Sequence, residues 1–238
     1  MAINTERPGG QAQAATPEME LQMMSTEHWS LLASRNLAWT ESFTRASMFL
    51  STLSFAVVAL ALVGQASGFG EEFRLFALVV LPLVLFLGIG TTIRMDSASY
   101  HDAICVIGMN RIRAGYLELA PDLERFLVMG TTDDLRGAGL TMAIPPGRSM
   151  AANFVAGTPS LILVLSAVLA SAIVALALVQ LGVAAGVAIA IGLPAFLVTL
   201  GLQAWVGLRS MQRSMRDYRP KFPTSEDAMP PESASART

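Results

Sequence analysis

The sequence predicts an all-α, polytopic membrane protein with four transmembrane helices, long cytoplasmic helical extensions of the first two, and both termini in the cytoplasm. Three observations predict it. Hydrophobic residues make up 53% of the 238 and charged residues only 14%, whereas soluble domains carry about 25% charged residues. The apolar residues gather into four charge-free stretches, 46–64, 75–93, 160–181 and 183–206, each supplying about the 20 residues that cross ~30 Å of hydrocarbon as helix. Basic residues flank these stretches unevenly: three precede the first, six lie over 94–148, six follow the fourth, and only Arg74 lies between the first and second. Lysine and arginine collect on the cytoplasmic side of short loops, so this pattern fixes the orientation and points to the plasma membrane.

In chain order, residues 1–24 are polar, rich in Ala, Gln and Glu and without periodicity, and are expected to be a disordered tail. Ser25 is a plausible N-cap. Trp29, Leu32, Asn36, Trp39 and Phe43 follow at spacings of 3 and 4, a helical stripe that runs into span 1 with no Pro or Gly between. One helix over 26–64 fits this pattern, and so do two helices meeting at a kink near Arg45. Phe69, Phe73 and Phe76 mark the outer turn; Trp39, Phe43 and Trp205 lie where rings sit at the inner interface.

Beyond span 2, Cys105, Met109, Ile112, Tyr116 and Leu119 continue a helical stripe until Pro121, which disfavours helix in the residue before it. PDLERFLVM, residues 121–129, reads as a short helix closed by Gly130, and the remainder of the cytoplasmic segment 95–158 as loop around GAG, IPPG and AGTP. Over 161–206 there is no charge at all. A single helix of that length would measure about 70 Å, more than twice the bilayer, so the chain must fold back, best at Gln180-Leu181-Gly182. The Ala167, Ser171, Ala175 series and the Gly182/Gly186 pair permit close approach of the two helices. Residues 209–238 form a basic juxtamembrane segment and a proline-containing disordered tail.

Charge and composition exclude several function classes. A net charge of −2 argues against nucleic acid as a partner. The single Cys105 excludes an intrachain disulfide and a multi-cysteine metal site; sharing a face with Met109 and Ile112, it is expected to be buried and inert. His101 and Asp102 are adjacent on a helix, about 100° apart, and do not converge, and His28 is the only other histidine. The spans hold no Asp, Glu, His, Lys or Arg, the residues that mark proton relays and intramembrane chemistry. No catalytic, cofactor-binding or metal-ligating set can be assembled, and the expectation is a protein that is not an enzyme and uses no cofactor.

Two surface features remain. Thr44, Ser47, Ser51, Ser54, Val58, Ala61 and Gln65 share one face of span 1, with Phe49, Leu53 and Leu60 opposite. In a ring of subunits such a face would line a pore, with Glu71 and Glu72 at the outer mouth favouring cations; otherwise its hydroxyls bond backbone carbonyls or neighbouring helices. Arg209, Arg213 and Arg216 recur at helical spacing inside span 4, as contacts for anionic lipid or as ordinary topology signals.

EHWSLLASRNLAWTESFTRASMFLSTLSFAVVALALV, residues 27–63, and MNRIRAGYLELAPDLERF, residues 109–126, resemble an uncharacterised family of four-span actinobacterial membrane proteins. The resemblance implies the four-span fold and carries over no activity and no functional residues. The sequence thus leaves two expectations: a non-enzymatic structural or regulatory membrane protein that self-associates in contact with lipid, or a homo-oligomeric ion channel with span 1 around the axis.

Overall fold

The computed structural model describes residues 15–144, 157–216 and 218–224. Its elements are α1 (Pro17–Ser67), α2 (Glu71–Leu119), a 3-10 turn (Pro121–Phe126), α3 (Leu135–Thr141), α4 (Thr158–Gln180) and α5 (Ala185–Met215); no strand occurs among the described residues. Helices α1, α2, α4 and α5 are each long and apolar enough to cross a membrane, and the chain is a multi-pass membrane protein by that measure.

Helix α1 starts earlier than its sequence suggested. Thr16, not Ser25, caps it, accepting the Met19 N–H at 3.4 Å, and Pro17 opens the first turn. A cap oxygen satisfies a donor that the first turn leaves free, and proline there costs no backbone bond. Residues 17–24, expected in the disordered tail, are therefore helical. The helix continues unbroken past Arg45, so its 51 residues form one rod about 75 Å long. It ends at Gly68, whose φ of +62° is left-handed and whose N–H returns to the Gly64 carbonyl. Glycine adopts that conformation without a Cβ clash.

Helix α2 is antiparallel to α1 and comparably long, with Pro82 within it. It is the centre of the molecule. Helix α1 packs along one side of it, α4 along another, and α5 lies on α4 and touches α2 at one end. The core at membrane level holds Phe49, Leu81, Val84, Met95, Ile162 and Leu169. Phe49 is lodged where Gly88 omits a side chain: a Cβ there would lie 2.9 Å from the ring and 2.5 Å from Ser166 Oγ. Ser171 Oγ donates to the Gly192 carbonyl at 2.8 Å, so the small-residue series on α4 meets Gly192 and not Gly182 or Gly186, which have open space. The chain reverses between Gln180 and Ala185, with Gly182 at φ +87°.

Past the apolar stretches, α1 and α2 continue together into a polar head. There the 3-10 turn, α3 and residues 218–224 wrap the side of α2 that α1 leaves free, over a second core of Val106, Ile107, Met109 and Ala138. Two expectations fail here. The 131–144 segment is not all loop, because Asp134 caps α3 by accepting the Gly137 N–H at 2.7 Å. The segment just after Tyr218, expected to be disordered, is tied to Asp133 and Asp134.

Candidate functional site

The face singled out on span 1 lies where the sequence put it. Phe49 is buried, and Leu53 and Leu60 pack beside it against α2 and α4. Thr44, Ser47, Ser51, Ser54, Val58, Ala61 and Gln65 are all exposed on the far side. Thr44 and Ser54 return their hydroxyls to carbonyls one turn earlier, at 2.8 and 2.9 Å. Ser54 thereby lowers its exposed polarity, as back-bonded hydroxyls do in lipid.

The same open face extends into the head, where the structure corrects the expected packing stripe. Of the helical stripe Trp29, Leu32, Asn36, Trp39 and Phe43, Leu32 and Trp39 are half-buried, while Trp29, Asn36 and Phe43 are exposed, Trp29 by 67%. The row that meets α2 is instead Met24, His28, Leu31, Arg35, Ala38, Ser42 and Ala46, each half-buried or buried. Small residues on one side or the other let α1 and α2 approach: Ala38, Ser42 and Ala46 on α1, and Gly108 and Gly115 on α2, against which Leu31 and Met24 lie. Trp29, Asn36, Phe43, Ser47, Ser54, Val58 and Gln65 consequently form one continuous exposed stripe. It is about 54 Å long, counted over residues 29–65.

Glu71 and Glu72 occupy the exposed first turn of α2, where carboxylates favour the partial positive charge of a helix N-terminus. Arg74 beside them donates to Gln180 Oε1 at 2.8 Å, joining the α1–α2 turn to the α4–α5 turn.

In the head, Asp102, Asn110, Asp133 and Asp134 are buried and matched, whereas His28 Nδ1 is buried without a hydrogen-bond partner among the described residues. Asp102 accepts from Arg35 and, at 2.9 Å, from Trp39 Nε1. His101 also reaches α1 but takes different partners, with Nε2 2.9 Å from Ser34 Oγ and 3.5 Å from Cys105 Sγ. The two do not converge, and Asp102 is committed to Arg35 and Trp39, so it does not orient the imidazole for acid–base work. Cys105 is buried. Burial, then the Asp102 charge, pushes its thiol up against the smaller opposing effect of Arg35, which makes it a poor nucleophile.

Asn110, fully buried, donates to the Thr132 carbonyl at 2.8 Å and accepts from Thr141 and Arg113, each at 2.7 Å. Asp133 is the densest node. Its carboxylate accepts from Arg111 Nε at 2.6 Å, the Lys221 N–H at 2.9 Å and the Phe222 N–H at 2.8 Å, and Tyr218 Oη lies 2.9 Å away. Burial alone would raise its carboxyl, but these donors outweigh it and hold it down. Asp134 is brought to about 2 in the same way, burial being overcome by the Gly137 and Thr224 donors. The sequence reading missed both. The signal was present as Asp134 before Leu-Arg-Gly, an N-cap pattern, and as Tyr218 and Phe222 within a tail otherwise read as polar.

The α5 end of the membrane region carries two polar features on opposite faces. Outward, Arg209 lies over the Trp205 ring, 4.0 Å from its centroid, and Trp205, Val206, Arg209, Ser210 and Arg213 line a recess of about 310 Å³. Arg216 follows the last residue of α5 and does not line it. Inward, Gly207 lets Asp96 of α2 approach; a Cβ at 207 would be 3.0 Å from Asp96 Oδ2. One turn away on the same face, both amide atoms of Gln203 are buried without a hydrogen-bond partner.

Among the described residues no group of three or more His, Cys, Asp or Glu could hold a metal ion. No protein-family model, no curated protein and no solved structure matches the chain.

Proposed function

We propose that the protein is a non-enzymatic, self-associating component of the plasma membrane, with a structural or regulatory role and with α1 as the contact between subunits. The observation that carries this reading is the open stripe on α1. A helix at the rim of the row exposes hydroxyls at Ser47 and Ser51 for which α1, α2, α4 and α5 supply no partner, and continues them into exposed Trp29 and Phe43. Small and hydroxyl-bearing residues are what transmembrane helices use to pack closely and to hydrogen-bond across an interface, and aromatic residues dominate contacts in water. A second copy of the chain supplies both environments in register, because its own stripe changes character at the same level. The basic flanks support an orientation with the head and both termini in the cytoplasm.

The mass of the full chain in lipid nanodiscs tests this. A multimer is expected for the native chain. Ser47→Leu with Ser51→Leu keeps the helix and its fit to lipid but blocks close approach, and should yield monomer. A monomeric native chain would refute the proposal.

The alternative, an ion channel with α1 around the axis, is favoured by one detail of that stripe: exposed Val58 lies between the serines and Gln65. An apolar ring gates by excluding water. Val58→Ser should then raise ion flux in vesicles, and Glu71→Gln with Glu72→Gln should weaken cation preference. A multimer that stays electrically silent with Val58→Ser leaves the structural reading.

A further inference from the structure

We infer that the recess on the outer face of α5 is a binding site for the phosphate of an anionic phospholipid, held by Arg209 and Arg213 with Trp205 against its glycerol and upper acyl chain. The inference rests on the chain being a membrane protein and is independent of its self-association.

The first ground is charge. At the inner membrane edge Arg45 and Arg94 share a carboxylate within the chain, both pairing with Glu41. Among the described residues Arg209 and Arg213 have no ion pair and no carboxylate lines their recess. A cation left unmatched at a lipid surface gains by attracting an anionic headgroup.

Shape is the second ground. Arg209, Ser210 and Arg213 occupy one turn of α5, and Trp205 and Val206 continue the recess toward the apolar stretch. The Arg209 guanidinium is already placed by its stacking on Trp205, so less of its freedom is lost on binding. Two guanidiniums and a hydroxyl supply forked donors to phosphate oxygens, while the indole sits at headgroup depth with its apolar body toward the chains. Exposed Val198 and Leu202 extend the acyl path. Arg and aromatic, polar end and apolar end, are ordered along the helix as they are in a lipid.

The test uses the full chain in mixed micelles containing equal phosphatidylglycerol and phosphatidylcholine, with bound lipid counted by native mass spectrometry. Phosphatidylglycerol should be retained about thirtyfold over phosphatidylcholine, the scale expected from two basic residues near a surface at about 1 kcal/mol each. Arg209→Gln with Arg213→Gln should abolish the preference, Arg209→Lys with Arg213→Lys should keep part of it, and Arg45→Gln should leave it intact. Inorganic phosphate at millimolar concentration should not displace the lipid; displacement would mean the site takes free phosphate. Equal retention of the two lipids by the native chain, or loss of preference with Arg45→Gln alone, overturns the inference.

Discussion

The head and the membrane half are built from the same two helices and solve opposite problems. In the head, water is available, yet carboxylates and an amide are turned inward and matched: Asp133 meets four donors, and Asn110 both donates and accepts. In the membrane half, where an unmatched polar group is costlier, a whole face of α1 is left outward with hydroxyls on it. The head matches these groups within one chain. The membrane half leaves its hydroxyl face open, and under the proposed self-association a second copy would cover it.

The largest way to break this comparison is in the head. Asp133→Ala would leave Arg111 without its buried partner and release residues 218–224 from α2. Removing one side of a buried ion pair costs about 3–5 kcal/mol. Amide exchange at Phe222 should accelerate strongly while exchange at Phe49 stays slow; equal acceleration would show that head and spans unfold together.

The matching change in the membrane half is Gly88→Leu. Its side chain would overlap Phe49 and Ser166, and overpacking of this kind costs about 1–3 kcal/mol. Thermal unfolding in detergent should fall correspondingly, with the Asp133 contacts preserved at the start of the transition.

In the head, pH acts through Asp134. Held at about 2 against an ordinary 3.8, it contributes stability that is present above about 4 and lost as pH falls from there toward 2. Unfolding midpoints should therefore drop below pH 4, and Asp134→Asn should remove that drop; a drop that survives the substitution would exonerate Asp134.

The smallest effect on folding is expected at the open stripe. Ser47→Ala with Ser51→Ala changes exposed groups and should alter the stability of the isolated chain by no more than about 0.5 kcal/mol. Subunit association is where it should register.

How much of this was legible in the sequence follows from which signals are local. Charge-free runs and flanking arginines are local, and four membrane-length helices follow from them. That the hydroxyls and Phe49 lie on opposite faces of span 1 was legible because both repeat at helical spacing; which face the other helices cover was not. The head was misread where burial contradicts composition. Trp29 and Phe43 are bulky and apolar, yet a close helix pair selects Ala38, Ser42 and Ala46 instead. Tyr218 and Phe222 lie in a polar, proline-containing stretch that orders only because Asp133 and Asp134, some 85–90 residues earlier, present carboxylates to its amides. Asp96 stood just outside an apolar stretch, and its close approach to Gly207 of α5 joins residues more than 100 apart. Such pairings between distant segments leave no periodic trace.

Site-directed disulfide trapping in native membranes tests the central claim, that α1 is where one copy meets another. Cys105 is buried and leaves introduced thiols unambiguous. Mild oxidation should convert Ser51→Cys to covalent dimer, and should leave Phe86→Cys monomeric although Phe86 is 75% exposed on α2. Dimer from Phe86→Cys and none from Ser51→Cys would contradict the account.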